Sequence, residues 1–89
     1  MNIVYTSQFK KDYKRVKKQN KNIEKIKIVI EKLVACQQLE PKYRDHQRSG
    51  NWASHHDCHI EPDWILIYRI AGDQLFLERT GSHSELFQK

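Results

Sequence analysis

Cysteine is nearly absent from this chain, and long hydrophobic runs are absent altogether. Cys36 and Cys58 are the only cysteines, too few for a disulfide scaffold. Each falls in an apolar run, so both are expected as buried free thiols. No CxxC or HExxH spacing occurs, which removes the commonest zinc signatures. The most hydrophobic stretch, Trp64 to Tyr68, is far too short to span a bilayer. The N-terminus reaches Lys10 and Asp12 without the apolar segment of a signal peptide. A cytoplasmic protein with no membrane partner is the expectation. There is neither an internal repeat nor a low-complexity tract.

What remains is a small, basic, soluble composition. The chain has 89 residues, 38% of them hydrophobic and 30% charged. That is one domain, residues 1–89, burying roughly two-thirds of its unfolded surface. The formal net charge is +5 and the sequence pI about 9.3. Such a balance favours polyanionic partners: nucleic acid, an anionic membrane surface or an acidic protein.

Hydrophobic periodicity orders the elements. Ile3 to Tyr5 reads as a strand, with Thr6 or Ser7 able to cap a helix beginning there. Phe9, Tyr13 and Val16 share one helical face from Ser7 to about Gln19, and lysines fill the others. Asn20 or Asn22 can cap a second helix, Ile23 to Cys36, whose stripe of Ile23, Ile26, Val29, Ile30, Leu33 and Val34 calls for a packing partner. Leu39 to Gly50 has no period and reads as a loop. Trp52 to Ile60, Trp64 to Ile70 and Leu75 to Arg79 read as strands. Glu61 to Asp63, Ala71 to Gln74 and Thr80 to Ser82 are turns, and Ser84 to Phe87 is a short tail. The order is strand, two helices, antiparallel meander: an α+β protein with its helices on one face of a small twisted sheet and the other face open.

Histidine carries the chemistry. Four of the five histidines lie between Asp45 and Trp64, and the fifth is His83. A metal site drawing on His55, His56, Cys58 and His59 fails on alternation. Along a strand, His55, Asp57 and His59 take one face while His56, Cys58 and Ile60 take the other. No metal and no other cofactor is expected. Single surface histidines are the bland alternative. It explains the set less well, because His46, His59 and His83 all fall at element ends that can meet at one edge of a sheet. Asp57 and Asp63 are near enough in sequence to orient an imidazole. Two imidazoles and a cation suffice for metal-independent RNA cleavage: a base for the 2′-OH, an acid for the leaving 5′ oxygen, and positive charge for the phosphorane. An aromatic can stack a splayed base. His46, His59, His83, Arg79, Phe87 and Trp64 are the candidates.

Several blocks are longer than composition can explain: SQFKKDYKR, YRDH at 43–46, GNW at 50–52, DCHIEPDWILIYRI at 57–70 and LERTGSHSELF at 77–87. Over nearly its whole length the chain resembles the YafQ branch of the RelE-like bacterial toxins, the messenger-RNA endonucleases of type II toxin–antitoxin modules. The resemblance implies a RelE-like fold and an active site of His46, His59, Asp63, His83 and Phe87. By that implication His46 and His83 divide general base and general acid. His59 and Asp63 hold the scissile phosphate and tune the imidazoles, while Phe87 contacts the RNA. Arg79 stands where a phosphate-binding arginine is expected. The implied partners are messenger RNA in the ribosomal A site, ribosomal RNA and a cognate antitoxin. Lys14 and Lys17 on the first helix either dock on ribosomal RNA or are simply a solvated face. Arg48 departs from the family pattern, which is apolar there. So do His55 and His56, where the family has an aromatic or glycine followed by arginine. A non-catalytic RNA- or ribosome-binding module of the same fold is the alternative reading.

Overall fold

The computed structural model of the chain describes residues 1–47 and 55–87. In chain order these form β1 (Asn2–Tyr5), α1 (Ser7–Lys18), α2 (Ile23–Val34), a 3-10 turn at Pro41–Tyr43, β2 (His46–Gln47), β3 (His56–Glu61), β4 (Trp64–Ala71), β5 (Gln74–Gly81) and α3 (His83–Leu86). None of the described helices is long and apolar enough to cross a membrane.

Local chemistry sets the helix ends. Thr6, in extended backbone, accepts the Phe9 N–H and caps α1. Asn22 accepts the Glu24 N–H and caps α2. Beyond α1, Asn20 has φ 61°, and beyond α2, Cys36 has φ 59°. Both values lie in the left-handed region, where a helix stops. Cys36 is therefore past the helix end and exposed, contrary to the expected buried thiol, whereas Cys58 is buried on β3.

The sheet order is β1-β5-β4-β3-β2. The meander β3-β4-β5 is antiparallel as read. The sheet as a whole is mixed, because β1 lies parallel to β5, with Ile3 opposite Leu75 and Tyr5 opposite Leu77. Parallel neighbours need a long crossover, and α1 and α2 begin it. Residues expected as pure loop hold the 3-10 turn and β2, which pairs His46 with Asp57. β5 runs on to Gly81 instead of ending at Arg79. The expected turn and tail are replaced by α3, closed by a capping box in which Ser82 and Glu85 bond each other's backbone. The Ser-x-x-Glu spacing at 82–85 was the overlooked signal. The strand expected from Trp52 is present from His56. Residues 48–54, with the GNW block and Arg48, lie outside the described residues.

Both long helices pack on one sheet face. Phe9, Val16, Ile26, Val29 and Leu33 meet Trp64, Leu66, Tyr68, Leu75 and Leu77 there. On the opposite face, among the described residues, the buried apolar cluster is Ile65, Ile67 and Leu86, with Phe87 against them. Trp64 belongs to the helix side, fully buried, its indole N–H donating to Thr80 Oγ1 at 2.9 Å. It cannot stack a base, as its sequence position had suggested.

One polar group breaks the core pattern. Asp12 sits on the buried stripe of α1 between Phe9 and Val16 and has no exposed surface. It accepts hydrogen bonds from Arg15 Nη1 at 3.0 Å, Arg79 Nε at 2.6 Å and the Thr80 N–H at 3.2 Å. These tie α1 to the last residues of β5. Asp12→Ala strands the two guanidinium groups and the buried amide, so a loss of about 3–5 kcal/mol is expected, measured by urea denaturation. A loss below about 1 kcal/mol, the scale of an exposed pair, would remove Asp12 as an anchor.

Candidate active site

Strand alternation sorts the histidines. His56 and Cys58 face the helices; Asp57 and His59 share the open face with their cross-strand partners Ile67 and Ile65. His56 stacks on Tyr68 at 5.4 Å, and the Tyr68 hydroxyl donates to Asp45 at 2.6 Å. His56 is thereby turned away from the histidines of the open face. His55 Nε2 lies 3.7 Å from Glu78. Burial, with Asp45 and Asp57 nearby, pushes the Cys58 thiol up, so it is neither a thiolate nucleophile nor a ready ligand at neutral pH. Among the described residues no three His, Cys, Asp or Glu side chains stand together as a metal site.

The turn between β3 and β4 carries Asp63 to the start of α3. One carboxylate oxygen accepts both the His83 backbone N–H, at 3.0 Å, and His83 Nδ1, at 2.8 Å. Those two bonds, the backbone one first, hold the Asp63 carboxyl below its ordinary range. With Nδ1–H donating to Asp63, His83 keeps Nε2 for a reactant. His59 is held the same way: its Nδ1 lies 3.2 Å from the Pro62 carbonyl, and its ring centroid is 5.5 Å from that of His83. Phe87 stands 6.2 Å from His83. Two imidazoles thus meet, each anchored through Nδ1, with an aromatic ring beside them.

His46 lies on the same open face. It is directly opposite Asp57, and His59 is two residues further along β3, a diagonal neighbour at roughly 7–8 Å. Both His46 nitrogens face acceptors: Nδ1 the Arg44 carbonyl at 2.9 Å, Nε2 the buried Asp57 carboxylate at 2.9 Å. The Nδ1 contact is a hydrogen bond, whereas the Nε2 approach to Asp57 has ion-pair distance without hydrogen-bond alignment.

The other expected residues lie elsewhere. Arg79 gives Nε and Nη2 to Asp12. Its side chain is an anchor in this structure, and it makes no contact with the described histidines. Lys14 and Lys17 line a groove with Tyr5, Tyr13 and Ile30 on the outer side of α1, and Lys17 Nζ lies 5.9 Å from the Tyr13 ring centre. Arg15 and Glu85 were not anticipated. Arg15 donates to the Thr80 carbonyl at 2.9 Å and pairs with Glu85 at 3.2 Å. Glu85 lies below its usual range chiefly because the Ser82 N–H donates to it, then through Gln19 and Arg15. The pattern Asp12-x-x-Arg15 on α1, with an acidic residue in the core stripe, was the available signal.

Fold and site together define a small α+β protein with a carboxylate-anchored pair of imidazoles on the open face of its sheet. The chain belongs to the YafQ family, described as "Bacterial toxin of type II toxin-antitoxin system, YafQ", which it matches over residues 1–88. It is 41% identical over 86 residues to the mRNA interferase toxin YafQ of Escherichia coli K12, covering 96% of this chain and 94% of that one. The crystal structure of YafQ from E. coli BL21(DE3) superposes with a TM-score of 0.93 at 39% identity, covering 97% of each chain. YafQ in the E. coli DinJ–YafQ complex superposes at 0.90 with 40% identity, again over 97% of each.

The tether has a signed pH dependence. A carboxyl depressed by folding contributes stability above its unfolded pKa and loses it as pH falls through the folded one. Asp63 should therefore hold His83 throughout the neutral range and release it only below 3.8, its ordinary value. A carboxyl-carbon NMR titration of Asp63 is expected to give a midpoint under 3.8; a midpoint at or above that value contradicts the tether.

Proposed function

We propose that this chain is the toxin of a type II toxin–antitoxin module: a cytoplasmic endoribonuclease that cuts messenger RNA in the ribosomal A site and stops translation. The observation that carries this reading is the pairing of His59 and His83, each fixed through Nδ1, with ring centroids 5.5 Å apart. One Nε2 takes the proton of a ribose 2′-OH. The 2′ oxygen attacks phosphorus, the bond to the 5′ oxygen breaks, and the second imidazole protonates that oxygen. The products are a 2′,3′-cyclic phosphate and a 5′-OH.

Asp63 fixes the ring orientation and proton position of His83, as a carboxylate does for a catalytic imidazole. His46, bonded through Nδ1 to the Arg44 carbonyl and with Nε2 2.9 Å from Asp57, serves better as a group that holds the phosphate. This reverses the roles the resemblance implied for His46 and His59. Phe87 stacks on an RNA base. Arg79 keeps Nη1 for a phosphate oxygen. The structure of the E. coli DinJ–YafQ complex supports a cognate antitoxin here too, one with an acidic or amphipathic segment to meet a basic toxin. Lys14 and Lys17 dock on ribosomal RNA.

Expression without an antitoxin should arrest growth, and primer extension should map cuts within translated messages. His83→Ala should slow cleavage by roughly 10²–10⁴-fold. The pH–rate profile should be bell-shaped and insensitive to EDTA. His59→Ala should remove one limb of the bell, while His46→Ala should lower it uniformly; the opposite assignment would restore His46 as the proton carrier. Reversing Lys14 and Lys17 to glutamate should weaken cleavage on ribosomes and flatten its salt dependence. Unchanged cleavage and salt slope would leave those lysines a solvated face.

A further inference from the structure

Beside the imidazole pair runs the outer edge of β3. Among the described residues β2 pairs only with His56 and Asp57, so no strand covers β3 beyond them. A cavity of about 500 Å³ lies along that edge, between α2, the 3-10 turn and the β3–β4 turn. Lys25, Lys42 and Arg44 line it together with His59 and Glu61. Glu61 is occupied by Lys25 at 2.8 Å, and Lys42 is 3.7 Å from exposed Glu40, a pair too wet to hold it. The Arg44 guanidinium has no acidic partner among the described residues. The lining therefore carries an excess of positive charge.

Arg44 is fixed in an unusual backbone conformation. Its φ is 48°, in the left-handed region, which costs a non-glycine residue roughly 1–2 kcal/mol. Strain of that kind persists where surrounding structure enforces it, and it clusters at functional sites. Here it aims the Arg44 carbonyl at His46 Nδ1, at 2.9 Å, and the residue lines both this cavity and a neighbouring one with Glu40 and Asp45. His59 belongs to both places: it lines the cavity and touches His83.

We propose that this cavity is a second RNA subsite, taking the nucleotides of the single strand that flank the cleaved linkage, with Arg44 and Lys42 gripping their phosphates. It rests on the acid–base reading above and extends it along the strand. His59 both touches His83 and lines this groove, so a strand whose phosphodiester is held between the two imidazoles can run past His59 into a basic lining. Arginine suits the grip, because its planar fork meets two phosphate oxygens at once.

The test uses the purified protein and a short single-stranded RNA made uncleavable by 2′-O-methylation, read by fluorescence anisotropy across a salt series. Wild type is expected to bind. Arg44→Ala should weaken binding roughly tenfold, as loss of one charge-assisted contact, and should lower the salt slope by about 0.7. Arg44→Lys should recover part of the affinity. Lys27→Glu, on the opposite side of α2, should change affinity little. In cleavage assays Arg44→Ala should raise KM while leaving kcat near wild type. No binding by wild type, or equal binding and salt slope for wild type and Arg44→Ala, overturns the subsite. Failure of the nuclease reading shows separately, as retained toxicity in His83→Ala.

Discussion

A single buried carboxylate holds the working end of this molecule. Asp12 has no exposed surface, and a charge in that position is stable only with hydrogen-bonded partners on every side. It finds them in Arg15, Arg79 and the Thr80 amide. The result is a rigid joint between α1 and the end of β5. From that joint the path runs outward: Arg15 to Glu85, and Glu85 to the Ser82 N–H at 2.8 Å. The next residue is His83. A Cβ at Gly81 would lie 2.5 Å from Arg15 Nη2 and 2.9 Å from Glu85 Oε1, so a larger residue there would push the Arg15–Glu85 pair aside.

That joint matters because the bond it serves is weak. Asp63 and His83 pair at 2.8 Å, yet their side chains are 71% and 53% exposed. A pair so open to water contributes little to stability and is loosened by salt. It can orient an imidazole only if both partners arrive already positioned. The β3–β4 turn delivers Asp63 from the sheet, and the capped α3 delivers His83 from the α1 joint. Orientation is thus supplied by buried interactions some residues away, and reactivity is left where substrate can reach it.

Much of this was legible in sequence. Period-3.6 stripes marked α1 and α2, and period-2 alternation separated Asp57 and His59 from His56 and Cys58. His59, Asp63, His83 and Phe87 were named and do come together. What escaped were long-range facts. The parallel docking of β1 on β5 depends on where a crossover returns, which no local pattern encodes. Arg79 was expected to bind phosphate, and nothing local to it points to Asp12, 67 positions away. Among the described residues the pairing of β2 with β3 spans His46 and Gln47, too short for any period to register. With it went the observation that His46 is held by Asp57.

Position decides how much the departures at His55 and His56 matter. By resemblance an arginine belongs where His56 stands, and its loss would matter most if it reached the scissile phosphate. The β3 register turns that position toward the helices, where His56 stacks on Tyr68. A longer arginine there would have to leave the stack and cross the strand edge to meet His59. The imidazole pair is built without it, from residues of the opposite face. Positive charge near the pair comes instead from Lys21, which acts on Asp63, and from Arg44 just after the 3-10 turn, which fixes His46 through its carbonyl and lines the cavity shared with His59. Positive charge has therefore not been removed from the neighbourhood of the site. The Arg44 charge lies one strand further out, on the segment whose strained backbone ties it to the catalytic face.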